Sequence, residues 1–312
     1  MQTREYTKDI NTTHDEKTNM PVINYALTIS DYVMGKVIQH GTRATVYHGY
    51  YQDNRVAIKK AVTEKYIDTL RQEKIIYELI AEKRNVDSDD QYAASCIIGY
   101  YGYSLNYSDN ILEQWMSLVL EYANGGTLAG WIFDESRIFD WTSTGYRVMN
   151  DFMSGIYYLH KCDYVHRDIK PDNILLHYDH ENVLHGKISD FGESLHKSDV
   201  TSRNASGTII YMAPEIFTDG KQTDKTDIYS AGITIWEMAA RKPVFENTSM
   251  ANIIKDLENG EREEIPISCP PKVRHIISWF WQQDPASRPT AKESLEELKT
   301  PLNEVSPRLS RF

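Results

Sequence analysis

Cysteine is scarce in this chain: Cys96, Cys162 and Cys269 are the three in 312 residues. An odd number without metal-type spacing argues against a disulfide framework and fits a reducing compartment. No apolar run approaches membrane-spanning length, so no membrane span is expected. The opening MQTREYTKDINTTHDEKTN lacks the apolar core of a signal peptide and the Met-Gly start of a myristoyl anchor. Positive charge is short as well. The 34 Lys and Arg are outnumbered by 45 Asp and Glu, and a net charge of −11 argues against a nucleic-acid footprint. Internal repeats are absent. What remains is a soluble, cytoplasmic globular chain, long enough for one large domain or two lobes.

The expected organisation follows the periodicity. Residues 1–27 carry no hydrophobic pattern and read as a flexible leader. Strand-like segments come next, at Tyr32 to Ile38, Thr45 to Tyr50 and Arg55 to Lys60. An amphipathic helix is expected from about Tyr66 to Arg84, a loop over Asn85 to Asp90, and two more strands at Ile97 to Tyr103 and Met116 to Tyr122. After Asn124-Gly125-Gly126 the pattern turns mainly helical, at 145–160, 227–240, 272–282 and 291–298. Strands first and helices second imply an α+β chain of two lobes, 28–123 and 124–300, with a cleft between them and a tail over 301–312.

Two runs carry chemistry: His166-Arg167-Asp168-Ile169-Lys170-Pro171-Asp172-Asn173-Ile174-Leu175-Leu176, and then Asp190-Phe191-Gly192. Upstream stand Val56-Ala57-Ile58-Lys59 and a hairpin segment, Ile38 to Val46, in which only Gly41 is glycine. Downstream come Gly207-Thr208-Ile209-Ile210-Tyr211-Met212-Ala213-Pro214-Glu215, Asp227 to Gly232, and Trp281 to Thr290. In this order, over about residues 30–300, the motifs resemble the eukaryotic-type protein kinases. The resemblance implies the bilobal kinase fold: a small antiparallel β-sheet lobe with one long helix, and a larger helical lobe.

It also implies roles. Asp168 would be the base facing the substrate hydroxyl, and Lys170 would offset charge on the transferring γ-phosphoryl. Asn173 and Asp190 would hold Mg²⁺, with Mn²⁺ as a substitute. Lys59 would reach the ATP phosphates. Ile38, Gly41, Val46, Ala57, Leu120 and Leu175 would surround the nucleotide, with the backbone of Glu121 and Ala123 pairing with the adenine edge. Several of these apolar residues would serve equally as core. Gln39 and Ala44 stand where the family carries glycines, and the segment alone would pass for an ordinary hairpin.

Lys59 needs a carboxylate. Glu73 shares a helical face with Leu70, Ile76, Tyr77 and Ile80, whereas Glu78 lies with Lys74 and Glu82 on the polar face, so Glu73 is expected to be the partner. Arg288 is expected to pair with Glu215. Lys170 and the GT…YMAPE ending resemble Ser/Thr kinases, and DIYSAGITIWEM with WQQDPASRPT is similar to the tyrosine-kinase-like group. The expected activity is ATP-dependent phosphorylation of protein Ser/Thr hydroxyls, with autophosphorylation. A phosphate at Thr201 or Ser202 would recruit Arg167. The alternative is a pseudokinase scaffold, which Gln39 and Ala44 favour; small-molecule phosphorylation is disfavoured by the peptide-docking GTIIYMAPE segment. The sequence leaves the oligomeric state open, and the origin too: an effector delivered into a host cytosol would carry the same motifs.

Overall fold

A computed structural model describes residues 32–86, 90–107, 114–137, 139–201, 206–218 and 220–300. The expected leader and tail, and Ser202, lie outside the described residues. The first three strands, β1 (Tyr32–His40), β2 (Ala44–Tyr51) and β3 (Asn54–Ala61), form an antiparallel meander. After α1 (Ile67–Val86) and the short α2 (Gln91–Ser95) come β4 (Tyr100–Tyr107) and β5 (Gln114–Glu121). They complete a five-stranded sheet in the order β1-β2-β3-β5-β4.

Alternation decides what each strand offers. On β3, Val56 and Ile58 are fully buried on the outer face, where they meet Val119. Ala57 and Lys59 therefore point the other way, toward the cleft. On β5, Met116, Leu118 and Leu120 join the main core with Leu70, Ile76 and Tyr77 of α1. Two sequence expectations need adjustment. The strand expected from Ile97 begins at Tyr100, because Ile97 and Ile98 are held instead in a bridge to Ile188, with Ile98 N donating to Ile188 O at 3.0 Å. The loop expected from Asn85 starts later, since α1 runs through Val86.

The chain crosses to the second lobe through Gly125, where a Cβ would stand 2.8 Å from the Leu176 carbonyl oxygen. Only glycine fits so close to another backbone. β6 (Gly126–Thr127), α3 (Leu128–Ile132) and α4 (Tyr146–Lys161) follow, then β7 (Tyr164–Val165), β8 (Ile174–Tyr178), β9 (Leu184–Ile188) and β10 (Leu195–His196). β8 pairs with β6 on one side and β9 on the other as a small sheet, and β7 pairs with β10.

The remaining helices are α5 (Glu215–Thr218), α6 (Asp224–Ala240), α7 (Met250–Glu258), α8 (Pro271–Phe280) and α9 (Ala291–Leu298). α7 was not expected from the periodicity, and α6 starts three residues before its expected boundary. The Thr223 hydroxyl caps α6 by accepting from Lys225 N, and the helix ends at Arg241 in a left-handed conformation (φ 56°). From Thr226 to Met238 every α6 residue is buried. A helix apolar nearly all round belongs in the middle of a core, and this one anchors the lobe.

Arg288 joins α5, α6 and the approach to α9. Its buried guanidinium grips both Glu215 oxygens, at 2.7 and 2.8 Å, and the carbonyls of Gln282, Lys225 and Gln283. Removing one partner leaves the other charge buried and unpaired, which costs about 3–5 kcal/mol. Arg288→Ala should lower unfolding stability by that amount in urea titrations, and Glu215→Gln by less, because its carboxylate is partly exposed.

Candidate active site

The cleft is built around a strand lysine. Lys59 Nζ donates to Glu73 Oε1 and Oε2 at 2.9 and 2.7 Å, and to Asp190 Oδ1 at 2.9 Å. Burial works against the ammonium, yet Asp190 and Glu73 outweigh it and raise the lysine's pKa. Burial also pushes on the Asp190 carboxyl, but the Lys59 charge dominates and holds it well below the carboxylate range. Glu73 is fully buried on the α1 stripe and also accepts from Phe191 N at 3.3 Å. Glu78 is engaged elsewhere, by Lys74 at 2.7 Å. Phe191, fully buried edge-on against Tyr77, fixes the loop that carries Asp190.

Asp168 sits at the centre of a second network. Lys170 Nζ donates to its Oδ2 at 2.7 Å and Asn173 Nδ2 to the same oxygen at 2.9 Å. Thr208 N and Oγ1 donate to its Oδ1 at 2.9 and 2.8 Å, and Lys170 also reaches Thr208 Oγ1 at 2.7 Å. Among the described residues, every hydrogen bond to the carboxylate comes from its own loop, through Lys170 and Asn173, or from Thr208. Arg167 and Asp190 both adopt positive φ, 71° and 65°, a conformation unfavourable for residues with a Cβ and typical of sites that over-determine their backbone.

What holds these loops is buried beneath them. The Asp227 carboxylate, on α6, accepts from His166 N, Arg167 N and His160 Nε2, each at 2.8 Å. His166 Nε2 bridges to Ser189 O at 3.0 Å, joining the loop of Asp168 to the loop of Asp190.

A cavity of about 380 Å³ opens between hairpin and loops, with Gly41, Val46, Lys59, Asp168, Lys170 and Asp190 on its walls. Gln39 also lines it. Asn173 lies behind Asp168, outside these walls, as do Ile38, Ala57, Leu120, Ala123 and Leu175. The sheet still brings most of them near: Val46 pairs with Lys59 across β2 and β3, Ala57 with Leu120 across β3 and β5, and Leu175 with Thr127 across β8 and β6. Ile38 is half exposed on β1. The Glu121 side chain turns inward, where Lys187 Nζ and Gly99 N donate to its Oε2 at 2.9 Å each.

Two side chains offer hard oxygen donors. The Asp190 side chain is half exposed and lines the cavity, and the Asn173 amide, committed through its nitrogen, has its oxygen to offer. One carboxylate and one amide suit a magnesium ion that keeps water and phosphate oxygens as its other ligands.

The protein kinase domain family matches residues 32–298. The chain belongs to the protein kinase family. Its relatives include a protein named "Probable serine/threonine-protein kinase drkD" of Dictyostelium discoideum, 28% identical over 288 residues, which span 90% of this chain and 20% of that protein. The dual specificity protein kinase zakA of the same organism is 30% identical over 293 residues, 86% of this chain and 36% of the relative. The RGS domain-containing serine/threonine-protein kinase A, also from Dictyostelium discoideum, is 29% identical over 268 residues, 86% of this chain and 22% of the relative. The chain thus spans about a fifth to a third of the length of these relatives. Among its described residues, no helix is long and apolar enough to cross a membrane.

Several contacts of the kinase site have no signature in the sequence. Glu121 with Lys187 is one; Arg43 of the hairpin with Glu193 is another. A third joins Arg167, Gln222 and Ser206. In each, a polar residue that reads as a solvated loop or edge position finds a partner 16 or more residues away.

The two helix glutamates make a sharp test. Glu73→Gln should lower phosphotransfer by about 10²-fold, because a misplaced Lys59 misplaces the phosphates. Glu78→Gln should leave it near wild type, and steady-state rates on both purified variants check the pair.

Proposed function

We propose that this chain is a protein serine/threonine kinase that transfers the γ-phosphoryl of Mg-ATP to Ser and Thr hydroxyls of protein substrates, itself included. The observation that carries this reading is the Asp168 carboxylate, oriented by Lys170, Asn173 and both donors of Thr208 at the mouth of a cavity that Lys59 also lines. The kinase fold unit is taken as residues 28–300, divided after Ala123, with 1–27 a leader and 301–312 a tail. The names of the relatives, serine/threonine and dual specificity kinases, support the substrate class.

In this reading Asp168 accepts the proton of, or orients, the incoming hydroxyl. Lys170, held 2.7 Å from both Asp168 and Thr208, stands ready to neutralise charge developing on the transferred group. Lys59 clamps the phosphates, and Glu73 holds Lys59 in place. Asn173 and Asp190 would hold Mg²⁺, which when bound shields the phosphate charge and orients the phosphates. Ile38, Val46, Ala57, Leu120 and Leu175 would enclose the adenine, and the backbone of Glu121 and Ala123 would pair with its edge.

A pseudokinase scaffold is the second reading, favoured by Gln39 and Ala44 at positions where glycine would let the backbone approach phosphate most closely. Against it stands the complete set Lys59, Glu73, Asp168, Asn173 and Asp190.

Asp168→Asn and Asp190→Asn should each lower transfer to a generic basic protein by on the order of 10²–10³, with unchanged thermal unfolding. Near wild-type turnover in either would remove the assignment. Acid hydrolysis of the labelled product should yield phosphoserine and phosphothreonine; mainly phosphotyrosine would overturn the class. Gln39→Gly should lower KM for ATP with kcat little altered, and a wild type that neither binds nor turns over ATP would favour the scaffold.

A further inference from the structure

Arg167 precedes the proposed base and is 7% exposed. A buried guanidinium beside an activation segment is suited to grip a phosphate there, and its surroundings decide whether it needs one. Its Nε donates to Gln222 Oε1 at 2.8 Å and its Nη1 to Glu193 O at 3.1 Å. Gln222 is 2% exposed, in the turn just before α6. The same Oε1 accepts from Ser206 N at 2.9 Å, and Nε2 donates to Ser206 O at 2.7 Å. One neutral amide therefore satisfies both backbone groups of Ser206 and one arm of Arg167. That task needs a donor and an acceptor on one side chain, which a carboxylate or a phosphate cannot supply alone.

The consequence runs to the base along two short paths. Arg167 is covalently next to Asp168. Ser206 is two residues before Thr208, which donates twice to Asp168. The Gly207 between them packs so closely on the Arg167 backbone that a Cβ there would stand 2.2 Å from the Arg167 carbonyl oxygen, so this stretch lies directly against the residue before the base. Gln222 thus ties together the two chain segments that hold the carboxylate.

The surroundings leave little place for a phosphate. The space bordered by Arg167, Gln222, Thr208 and Tyr211 is too tight for a water molecule. The Ser206 hydroxyl donates to the Glu193 carboxylate, so a phosphate on Ser206 would face a negative charge. Arg167 Nη2 is buried without a hydrogen-bond partner among the described residues, and Arg167 borders this tight space.

We propose that Gln222 is a positioning residue that replaces an activation-segment phosphate, locking Arg167 to Ser206 so that the site is assembled without phosphorylation. This rests on the phosphotransfer reading above for its effect on rate, while the lock itself is a structural property that can be read separately. It also departs from the expectation that a phosphate at Thr201 or Ser202 recruits Arg167.

The test uses the full chain made phosphate-free by phosphatase co-expression and verified by intact mass. Two readouts are taken: hydrogen exchange over Ser206 and Gly207, and the progress curve for a generic basic protein with Mg-ATP. Wild type should protect the Ser206 amide and start at full rate without a lag. Gln222→Ala should speed exchange there at least about tenfold and cut kcat by a similar factor, with KM for ATP nearly unchanged. Gln222→Glu keeps the acceptor for Arg167 and Ser206 N but loses the donor to Ser206 O, so it should fall between wild type and Gln222→Ala in both readouts, a graded result that a variant that merely unfolds would not give. The proposal fails if wild type shows a lag that ends as phosphate appears on residues 198–206. It fails equally if Ser206 exchange is the same in wild type and Gln222→Ala. A wild type with no phosphotransfer, before or after incubation with ATP, would instead count against the kinase activity, and the exchange data would still decide the lock.

Discussion

A carboxylate buried inside a helix organises the site. Asp227 is fully buried on α6, and burial alone would raise its pKa; the His160 bond and the neighbouring histidines reverse that and keep it ionised. Its two oxygens accept two successive backbone amides, those of His166 and Arg167. Arg167 is in a left-handed conformation at this point. The strain of the loop is thus balanced by a charge-assisted contact to the most buried helix of the lobe. Once those two amides are fixed, the direction of Asp168 follows, and with it the positions where Lys170, Asn173 and Thr208 can meet it.

The second fixed point is electrostatic. Lys59 lies between carboxylates from two different elements, Glu73 of α1 and Asp190 of the loop after β9. Glu73 would not be stable buried alone, and the ammonium offsets its burial while also holding the half-exposed Asp190. Because Glu73 also accepts from Phe191 N, the orientation of α1 and that of the Asp190 loop are one variable rather than two. His166 then links that loop to the loop of Asp168 through Ser189 O. The β3 strand, α1 and both loops are therefore joined through Lys59, Glu73, Asp190 and His166.

Much of this was legible in the sequence, for identifiable reasons. The strand period put Ala57 and Lys59 on one face, and helical phase separated Glu73 from Glu78; both are local geometry. The runs around Asp168 and Asp190 were legible through resemblance. Strand ends were less so: Ile97 and Ile98 read as strand because they are apolar and β-branched, yet their partner is Ile188, some 90 residues away in the chain. Gln222 gave no signal at all. Lys221-Gln222-Thr223 reads as a polar turn, and nothing local distinguishes an amide facing water from one that closes on Ser206. Glu121 failed to signal for the same reason, since a strand-end glutamate is ordinarily solvated until a buried lysine such as Lys187 is placed behind it.

The hairpin over the cavity bears on whether its missing glycines mean decay. At Gly41 a Cβ would stand 2.7 Å from the Ala44 carbonyl oxygen, the oxygen that accepts from Gly41 N at 3.0 Å. That tip needs a glycine and has one. Gln39 instead pairs with Val46 just past a register irregularity after Val37, without a left-handed backbone, and Ala44 pairs with Ala61 with its methyl buried in the core. Neither position requires a glycine's backbone freedom. Beyond the tip, Arg43 reaches across to Glu193 and ties the hairpin to the loop bearing Asp190, a closure that does not depend on glycine. The substitutions thus alter how near a phosphate the flanks of the hairpin can come, and leave the turn that shapes it intact.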